Sequence, residues 1–391
     1  MRNYDTVIIG AGAAGLMAAG EIKGRVLVLD HNVRPGRKLL VSGGGKCNFS
    51  NAEIADKFYF SQNPHFVKSA LAGFKTQDFL DILTKYHMKW EVREDGKLFG
   101  DNAKDILDAL EMRAQENGAE FQYGFKVYDV EPQENGTYQI QIAREKISAA
   151  NVIIATGGLS MPKTGATSFA FDLASKLGLK LTERYPALTP FLFTKEDAEK
   201  FGPLTGISLR ATLSHNKKSV TDDMLFTHYG ISGPAVLKMS LFYTGGEEMT
   251  INFLPSVDVR AAIENARKTN KNFHQVLSEV LPPRLVKTLL PDMAISVANA
   301  TKVKIEEIIK ILTAYPVTPL KNTSYLKAEI TGGGVDTAEL SSSTMECRRF
   351  PGLYFVGECM DVSGSLGGYN LHWAWASAHA AAKAINKKTA S

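Results

Sequence analysis

The residues best suited to chemistry stand near the start of the chain: Gly10-Ala11-Gly12-Ala13-Ala14-Gly15, followed by Asp30. In a G-x-G-x-x-G turn each glycine has its own use: a tight turn, close backbone approach to a pyrophosphate, and close packing of helix on strand. The amides that open the following helix carry about half a positive charge and face an anionic diphosphate. An acid ending the next strand accepts from a ribose hydroxyl, and it suits an unphosphorylated ribose such as that of NAD or FAD. The motif means this only on a strand-to-helix turn, and the flanking residues supply one. TVIIG at 6–10 reads as a buried strand, and a helix runs from about Ala13 to Ile22 and stops at Gly24. VLVLD at 26–30 is a second buried strand, so the three form a βαβ unit with parallel strands.

A second set of residues lies near the C-terminus. Gly352-Leu353-Tyr354-Phe355-Val356-Gly357-Glu358 resembles the second flavin fingerprint of the glutathione-reductase-like FAD fold, in which the final acid binds the ribityl chain. Gly367-Gly368-Tyr369-Asn370 precedes a helix whose N-terminus would point at the flavin's pyrimidine edge, where reduced flavin carries negative charge. Ile153-Ile154-Ala155-Thr156-Gly157-Gly158 resembles the ATG motif of the same fold. The chain has one G-x-G-x-x-G and no separate catalytic domain of the kind an NAD dehydrogenase carries. The dinucleotide expected in that seat is FAD.

Two further stretches narrow the resemblance. Pro35-Gly36-Arg37-Lys38-Leu39-Leu40-Val41-Ser42-Gly43-Gly44-Gly45-Lys46-Cys47-Asn48 follows Asp30, and Leu225-Phe226-Thr227-His228-Tyr229-Gly230-Ile231-Ser232-Gly233-Pro234 lies mid-chain. Together with VGECMDVSGSLGGYNLHWAWAS at 356–377, they are similar to the BaiN/RdsA (YhiN-like) family of bacterial NAD(P)/FAD-dependent oxidoreductases, from residue 5 to about 385. Lys46 stands where arginine is common, which keeps the charge but loses bidentate geometry. The resemblance implies FAD as cofactor and NAD(P)H as a transient reductant. It also implies hydride addition to a carbon–carbon double bond conjugated with a carbonyl. Its members point to uridine in large-subunit ribosomal RNA, with that RNA or its precursor particle as partner, or else to a small unsaturated, steroid-like compound. A flavin-bound scaffold or redox sensor without turnover is the reading from a different class.

The expected cofactor contacts are Gly10, Gly12, Ala13, Ala14, Gly15, Asp30, Arg37, Lys38, Ser42, Gly43, Gly44, Gly45, Cys47, Asn48, Val127, Thr156, Gly157, Gly158, Gly357, Glu358, Asp361, Gly367, Gly368, Tyr369 and Asn370. Three successive glycines allow a backbone approach that any Cβ would block. Arg37 and Lys38, or Lys46, would neutralise the diphosphate. Hydride addition also needs a general acid that is protonated at neutral pH and close to the flavin. His228 is the first candidate, being carried by the inserted module expected to roof the flavin. Cys47 and Tyr369 follow.

The elements that must position these residues suggest an interrupted α/β fold. A glutathione-reductase-like FAD-binding Rossmann domain would occupy 1–186 and 330–391. A β-barrel-like module would occupy 187–254 and 316–329, and a small helical module 255–315. Residues from about 64 to 117 read as helical, strands follow around 120–130 and 138–143, and 151–158 reads as a core strand. A small-residue helix from roughly Trp373 to Asn386 closes the chain. Cys47, Cys347 and Cys359 form neither a CxxC pair nor a metal-ligand spacing, so neither a redox disulfide nor a metal is expected. No apolar run approaches the roughly 18 residues of a spanning helix, and Thr6–Ala19 is broken by glycines, so the expected location is cytoplasmic, without membrane. Residues 258–310 hold nine basic groups (Arg260, Arg267, Lys268, Lys271, Arg284, Lys287, Lys302, Lys304, Lys310) against six acids. That is net +3 of the chain's +4, and a face to grip RNA phosphates.

Overall fold

Short apolar, β-branched runs build the centre of the first unit. The computed structural model describes residues 2–143, 145–292 and 295–389. They divide into two units: residues up to Pro186 with those from Tyr325 onward, and Ala187–Ser324. In the first unit β1 (Arg2–Ile9) pairs in parallel with β2 (Val26–Asp30), Ile9 lying against Leu29. β2 in turn pairs in parallel with β3 (Glu120–Tyr123). β4 (Val127–Pro132) and β5 (Tyr138–Ile142) are antiparallel, and β5 pairs with the first half of β6 (Glu145–Ile154). From Ile147 onward β6 runs parallel to β1, from Arg2↔Ile147 to Ile9↔Ile154. Its last residues also pair in parallel with β8 (Leu353–Phe355), which follows β7 (Ile330–Gly332) in the chain. The parallel order β3-β2-β1-β6-β8 reverses direction between β1 and β6. In open α/β sheets the ligand crevice lies at the carboxyl ends beside such a switch. Gly10, Ala155 and Val356 follow strand ends on that edge, and Asp30 ends β2 there.

Helix α1 (Ala13–Ala19) packs against the 21-residue helix α3 (Tyr369–Thr389); α2 is the short segment Arg37–Val41. Alanines along α1 and α3 let the two backbones approach, and Gly357 sits where its Cβ would meet Ala14 Cβ at 3.2 Å. α3 begins at Tyr369, earlier than its apolar pattern suggests, because Gly367 and Gly368 end the preceding loop in positive-φ conformations. The stretch from 64 to 117 is not all helical. Trp90–Val92 and Lys97–Gly100 form a hairpin that pairs with Asn48–Asn51. Its first strand, exposed at every position, carries no alternation to announce it.

His372 on α3 is completely buried. Ser50 Oγ lies 2.9 Å from its Nδ1, and Phe74 O lies 3.3 Å from its Nε2. Burial pushes its pKa down to about 4. The unfolded chain therefore takes up a proton near pH 6.5 that the folded protein refuses until about pH 4. The resulting stability is present above pH 6.5 and is lost as pH falls toward 4, by about 3 kcal/mol in all. Denaturant titrations at pH 7 and pH 4.5 should show this loss in the wild type and a smaller one in His372→Gln.

The second unit is an antiparallel sheet of seven strands, with Ser208–His215 and Lys218–Thr227 as its longest pair. Helices Val259–Ala266, Phe273–Leu277, Pro283–Leu289 and Lys302–Thr313 share one apolar cluster with that sheet, through Ile263, Phe273, Leu285 and Ile308 against Phe226, Met249 and Ile251. The basic surplus of 258–310 is largely turned inward on its own helices. Arg260, Arg267, Lys271 and Lys304 pair with Glu306, Glu264, Glu279 and Glu307, and Arg284 donates to Pro203 O. Lys268, Lys287, Lys302 and Lys310 stand outside these pairs, so the expected phosphate-gripping face is four lysines rather than nine cations. Among the described residues no helix is long and apolar enough to cross a membrane.

Candidate functional site

The turn after β1 sorts its glycines by what surrounds them. At Gly10, with φ +110°, a Cβ would lie 2.5 Å from Ala155 O, and at Gly15 it would lie 1.9 Å from Gly10 O. Both are needed for packing. At Gly12 a Cβ would meet nothing within 4 Å. No side chain caps the N-terminus of α1, so its first amides are left to an acceptor from elsewhere. Asp30 holds this turn from beneath: Oδ2 accepts from Ala11 N at 2.8 Å, and Oδ1 accepts from Asn32 N at 2.7 Å. Phe125 N donates to Asp30 O, which ties the approach to β4 and its buried Val127 to the same end of the sheet.

The glycine loop 42–45 contains a left-handed run. Gly43, Gly44 and Gly45 have φ of 55°, 68° and 88°, Lys46 returns to φ −96°, and Cys47 is positive again at 58°. Gly43 is packed, since a Cβ would lie 2.7 Å from Asn48 N, whereas Gly44 and Gly45 face open space. Ser42 Oγ donates to Leu39 O, which closes α2. The Asn48 amide donates to Ser50 O and Leu98 O, and its oxygen accepts from Gly368 N, each at 3.1 Å. One side chain thus joins the glycine loop to the start of α3. Asn370 locks the same start by exchanging hydrogen bonds with Gly364 N (2.8 Å) and Gly364 O (2.9 Å).

The segment after β6 behaves similarly. Gly157, with φ +70°, faces open space, while a Cβ at Gly158 would lie 2.4 Å from Thr331 Oγ1 and 2.8 Å from Glu358 Oε1. Thr156 Oγ1 is buried with no hydrogen-bond partner. Glu358 is the hub of a polar network. Oε2 lies 2.5 Å from Lys38 Nζ, and Oε1 accepts from Ser160 Oγ at 2.7 Å and Thr331 N at 2.9 Å. Lys38 also donates to Ser160 Oγ at 2.6 Å.

These contacts place the other expected residues. Lys38, expected on a diphosphate, is held by Glu358, a partly buried carboxylate with this ammonium 2.5 Å away. Arg37 is exposed and donates to Asn32 Oδ1 and Lys163 O. Cys47 has no exposed surface, and burial pushes its thiol up to about 12, so it presents no proton to the open space. Asp361 is also buried, accepting from Gln62 N at 2.9 Å, with its carboxyl raised by burial. Tyr369 stacks on Phe58 with ring centroids 4.6 Å apart, and burial pushes its phenol up to about 12. His228 lies in the second unit, exposed in the turn between Lys218–Thr227 and Gly230–Ser232. Sequence reasoning missed Ser160 and Thr331; the only signal for Thr331 was KAEITGGG at 327–334, which read as a strand and a turn.

The open sides of Gly12, Gly44, Gly45 and Gly157, an uncapped helix start, a strand-end carboxylate at Asp30 and an orphaned threonine hydroxyl fit an FAD. A switch-point crevice with a second fingerprint at Gly357-Glu358 defines an FAD-binding Rossmann protein of the oxidoreductase class. The chain belongs to the HI0933-like protein family: the model of its Rossmann domain matches residues 4–384. It is 40% identical to the ribosomal RNA dihydrouridine synthase of Escherichia coli, over 98% of both chains. It is 28% identical to the 3-dehydro-bile acid delta(4,6)-reductase of Clostridium scindens, over 97% of this chain and 98% of the other. Its fold is similar to that of the 3-ketosteroid-delta4-(5alpha)-dehydrogenase of Rhodococcus jostii. There the TM-score is 0.50 at 14% identity, covering 98% of this chain and 97% of that one.

Proposed function

We propose that this chain reduces a uridine of large-subunit ribosomal RNA to dihydrouridine, using NAD(P)H as reductant. The observation that carries the reading is the 40% identity to a ribosomal RNA dihydrouridine synthase across nearly the whole of both chains. Bound FAD supplies a two-electron carrier that takes hydride from a nicotinamide and passes it to an electron-poor double bond. The chain's own part is to seat and orient. Gly12 and the start of α1 admit the diphosphate, Asp30 accepts from the ribose, and Gly44, Gly45 and Gly157 admit the cofactor along its open side. The N-terminus of α3, fixed by Asn48 and Asn370, presents a positive dipole end to the flavin's pyrimidine edge. The Lys38–Glu358–Ser160 network keeps the second fingerprint rigid, which matters because small misplacements are costly in hydride transfer. The four lysines outside ion pairs supply salt-sensitive phosphate contacts.

Deleting the gene and measuring dihydrouridine in large-subunit RNA by mass spectrometry tests this. The nucleoside should disappear in the deletion strain and return on complementation. An unchanged level would remove RNA as substrate and favour a small unsaturated carbonyl compound. Anaerobic addition of NADH or NADPH should bleach the flavin's visible absorption; persistent colour would favour a flavin-bound scaffold without turnover.

A further inference from the structure

The hairpin Trp90–Gly100 leaves its small sheet with an uncovered edge. In the order Asn48–Asn51, Lys97–Gly100, Trp90–Val92, the last strand pairs on one side only. Arg93 N donates to Lys97 O at 2.9 Å, and Asp101 N donates to Lys89 O at 3.3 Å. Hydrogen-bonded pairs alternate along an antiparallel ladder, so Lys89, Glu91 and Arg93 turn their main-chain groups inward. The N–H and C=O of Trp90 and Val92 therefore point out of the edge. Every residue from Lys89 to Arg93 is exposed. On one face Trp90 and Val92, with Ile54, Leu80 and Leu98, line a groove of about 400 Å³. On the other face Arg93 lies over the Phe99 ring, 3.7 Å from its centroid, and its Nε is 3.2 Å from Glu91 Oε1. Among the described residues Lys89 enters no ion pair.

We infer that two copies of this chain join through these edges, Trp90–Val92 of one pairing antiparallel with the same strand of the other about a two-fold axis. An axis perpendicular to the sheet keeps each face continuous across the junction, so even-numbered residues meet even-numbered ones. In the register centred on Trp90, that residue exchanges both outward main-chain hydrogen bonds with its own copy. The two indoles then stand opposite each other, and Lys89 of each chain stands opposite Glu91 of the other. Aromatic and opposite-charge pairs are among those that stabilise neighbouring strands. Lys89 thereby gains the carboxylate it lacks within its own chain. Other registers do worse. Centring on Glu91 sets that carboxylate against its own copy and Lys89 against Arg93. Centring on Val92 runs the second strand into the turn at Glu94-Asp95. Charges on an exposed edge normally repel a second copy. Here the order Lys89-Trp90-Glu91-Val92-Arg93 lets them pair in one register and repel in the next. The junction also takes the exposed apolar surface of Trp90 and Val92 out of water.

Analytical ultracentrifugation of the purified flavoprotein tests this, with bound flavin content reporting that each variant is folded. The wild type should sediment with twice the mass of one chain at about 50 μM, a concentration suited to a small interface. Val92→Pro should sediment as a monomer with its flavin retained. It removes an outward N–H that no strand of its own chain uses, and proline is tolerated on sheet edges. Lys89→Glu and Glu91→Lys should each weaken association at least about 10-fold, because each sets two pairs of like charges opposite one another. Combined in one chain, the two changes should restore it. A wild type that stays monomeric would overturn the proposal and leave the edge to an extended segment of another protein. A Val92→Pro variant that still dimerises, or a double variant that associates no better than the single ones, would overturn it equally. Should Val92→Pro lose its flavin, the charge series decides alone.

Discussion

Gly12→Val should give a folded, colourless protein. The residue sits at φ −88° and ψ −166°, a backbone conformation open to any side chain, and a Cβ there meets no protein atom within 4 Å. Neither strain nor overpacking acts on the apoprotein, so its melting temperature should stay within a few degrees of wild-type apoprotein. The isopropyl group instead fills the space through which the diphosphate approaches the start of α1. Affinity for FAD should fall by at least about 100-fold, equivalent to about 2.7 kcal/mol. Wild-type apoprotein should melt progressively higher with added FAD, since a ligand bound only by the folded state stabilises it. The variant should show no such rise at the same concentrations. A yellow Gly12→Val protein with normal flavin content would place the diphosphate elsewhere.

Gly368→Ala should fail in the opposite way, by losing the fold. Its φ is +92°, and a Cβ would lie 2.1 Å from Ser50 O and 2.5 Å from Ser50 C, both main-chain atoms. Left-handed strain of about 1–2 kcal/mol adds to an overpacking cost of about 1–3 kcal/mol. The start of α3 must therefore back away from Asn48–Asn51, breaking the Asn48–Gly368 hydrogen bond. That displacement also moves the dipole end proposed for the flavin. The variant should lose about 3 kcal/mol in denaturant titrations and bind FAD weakly even where it remains folded. Stability equal to wild type would mean that the approach of Gly368 to Ser50 is not tight in solution. Measured side by side, the two glycine variants separate seating of the cofactor from integrity of the scaffold.

Local sequence was sufficient for the first βαβ unit. TVIIG and VLVLD are short apolar runs with glycine or acid at their ends, and such runs have little alternative to a buried parallel strand. The flavin motifs were equally legible, because close backbone approach requires glycine and leaves its mark in residue type. What glycine does not declare is the direction in which its missing Cβ would point. Gly12 and Gly15 look alike in the chain, and only the folded turn, which sets Gly10 O against Gly15 and nothing against Gly12, shows that one faces open space and the other faces main chain. The hairpin at Trp90–Gly100 escaped because an exposed strand need not alternate; its pairing with Asn48–Asn51 supplies what its own pattern lacks. The basic surplus of 258–310 was correctly counted, but pairing depends on which helices face one another, and Arg260 meets Glu306 from 46 residues away. The same reason hid the polar network. Lys38, Ser160, Thr331 and Glu358 come from four separate stretches of chain. Sequence alone therefore determined the cofactor class and the family, which are written in backbone-permissive motifs. The tertiary structure decided which charges neutralise each other and which glycines face open space, because those depend on distances between residues remote in sequence.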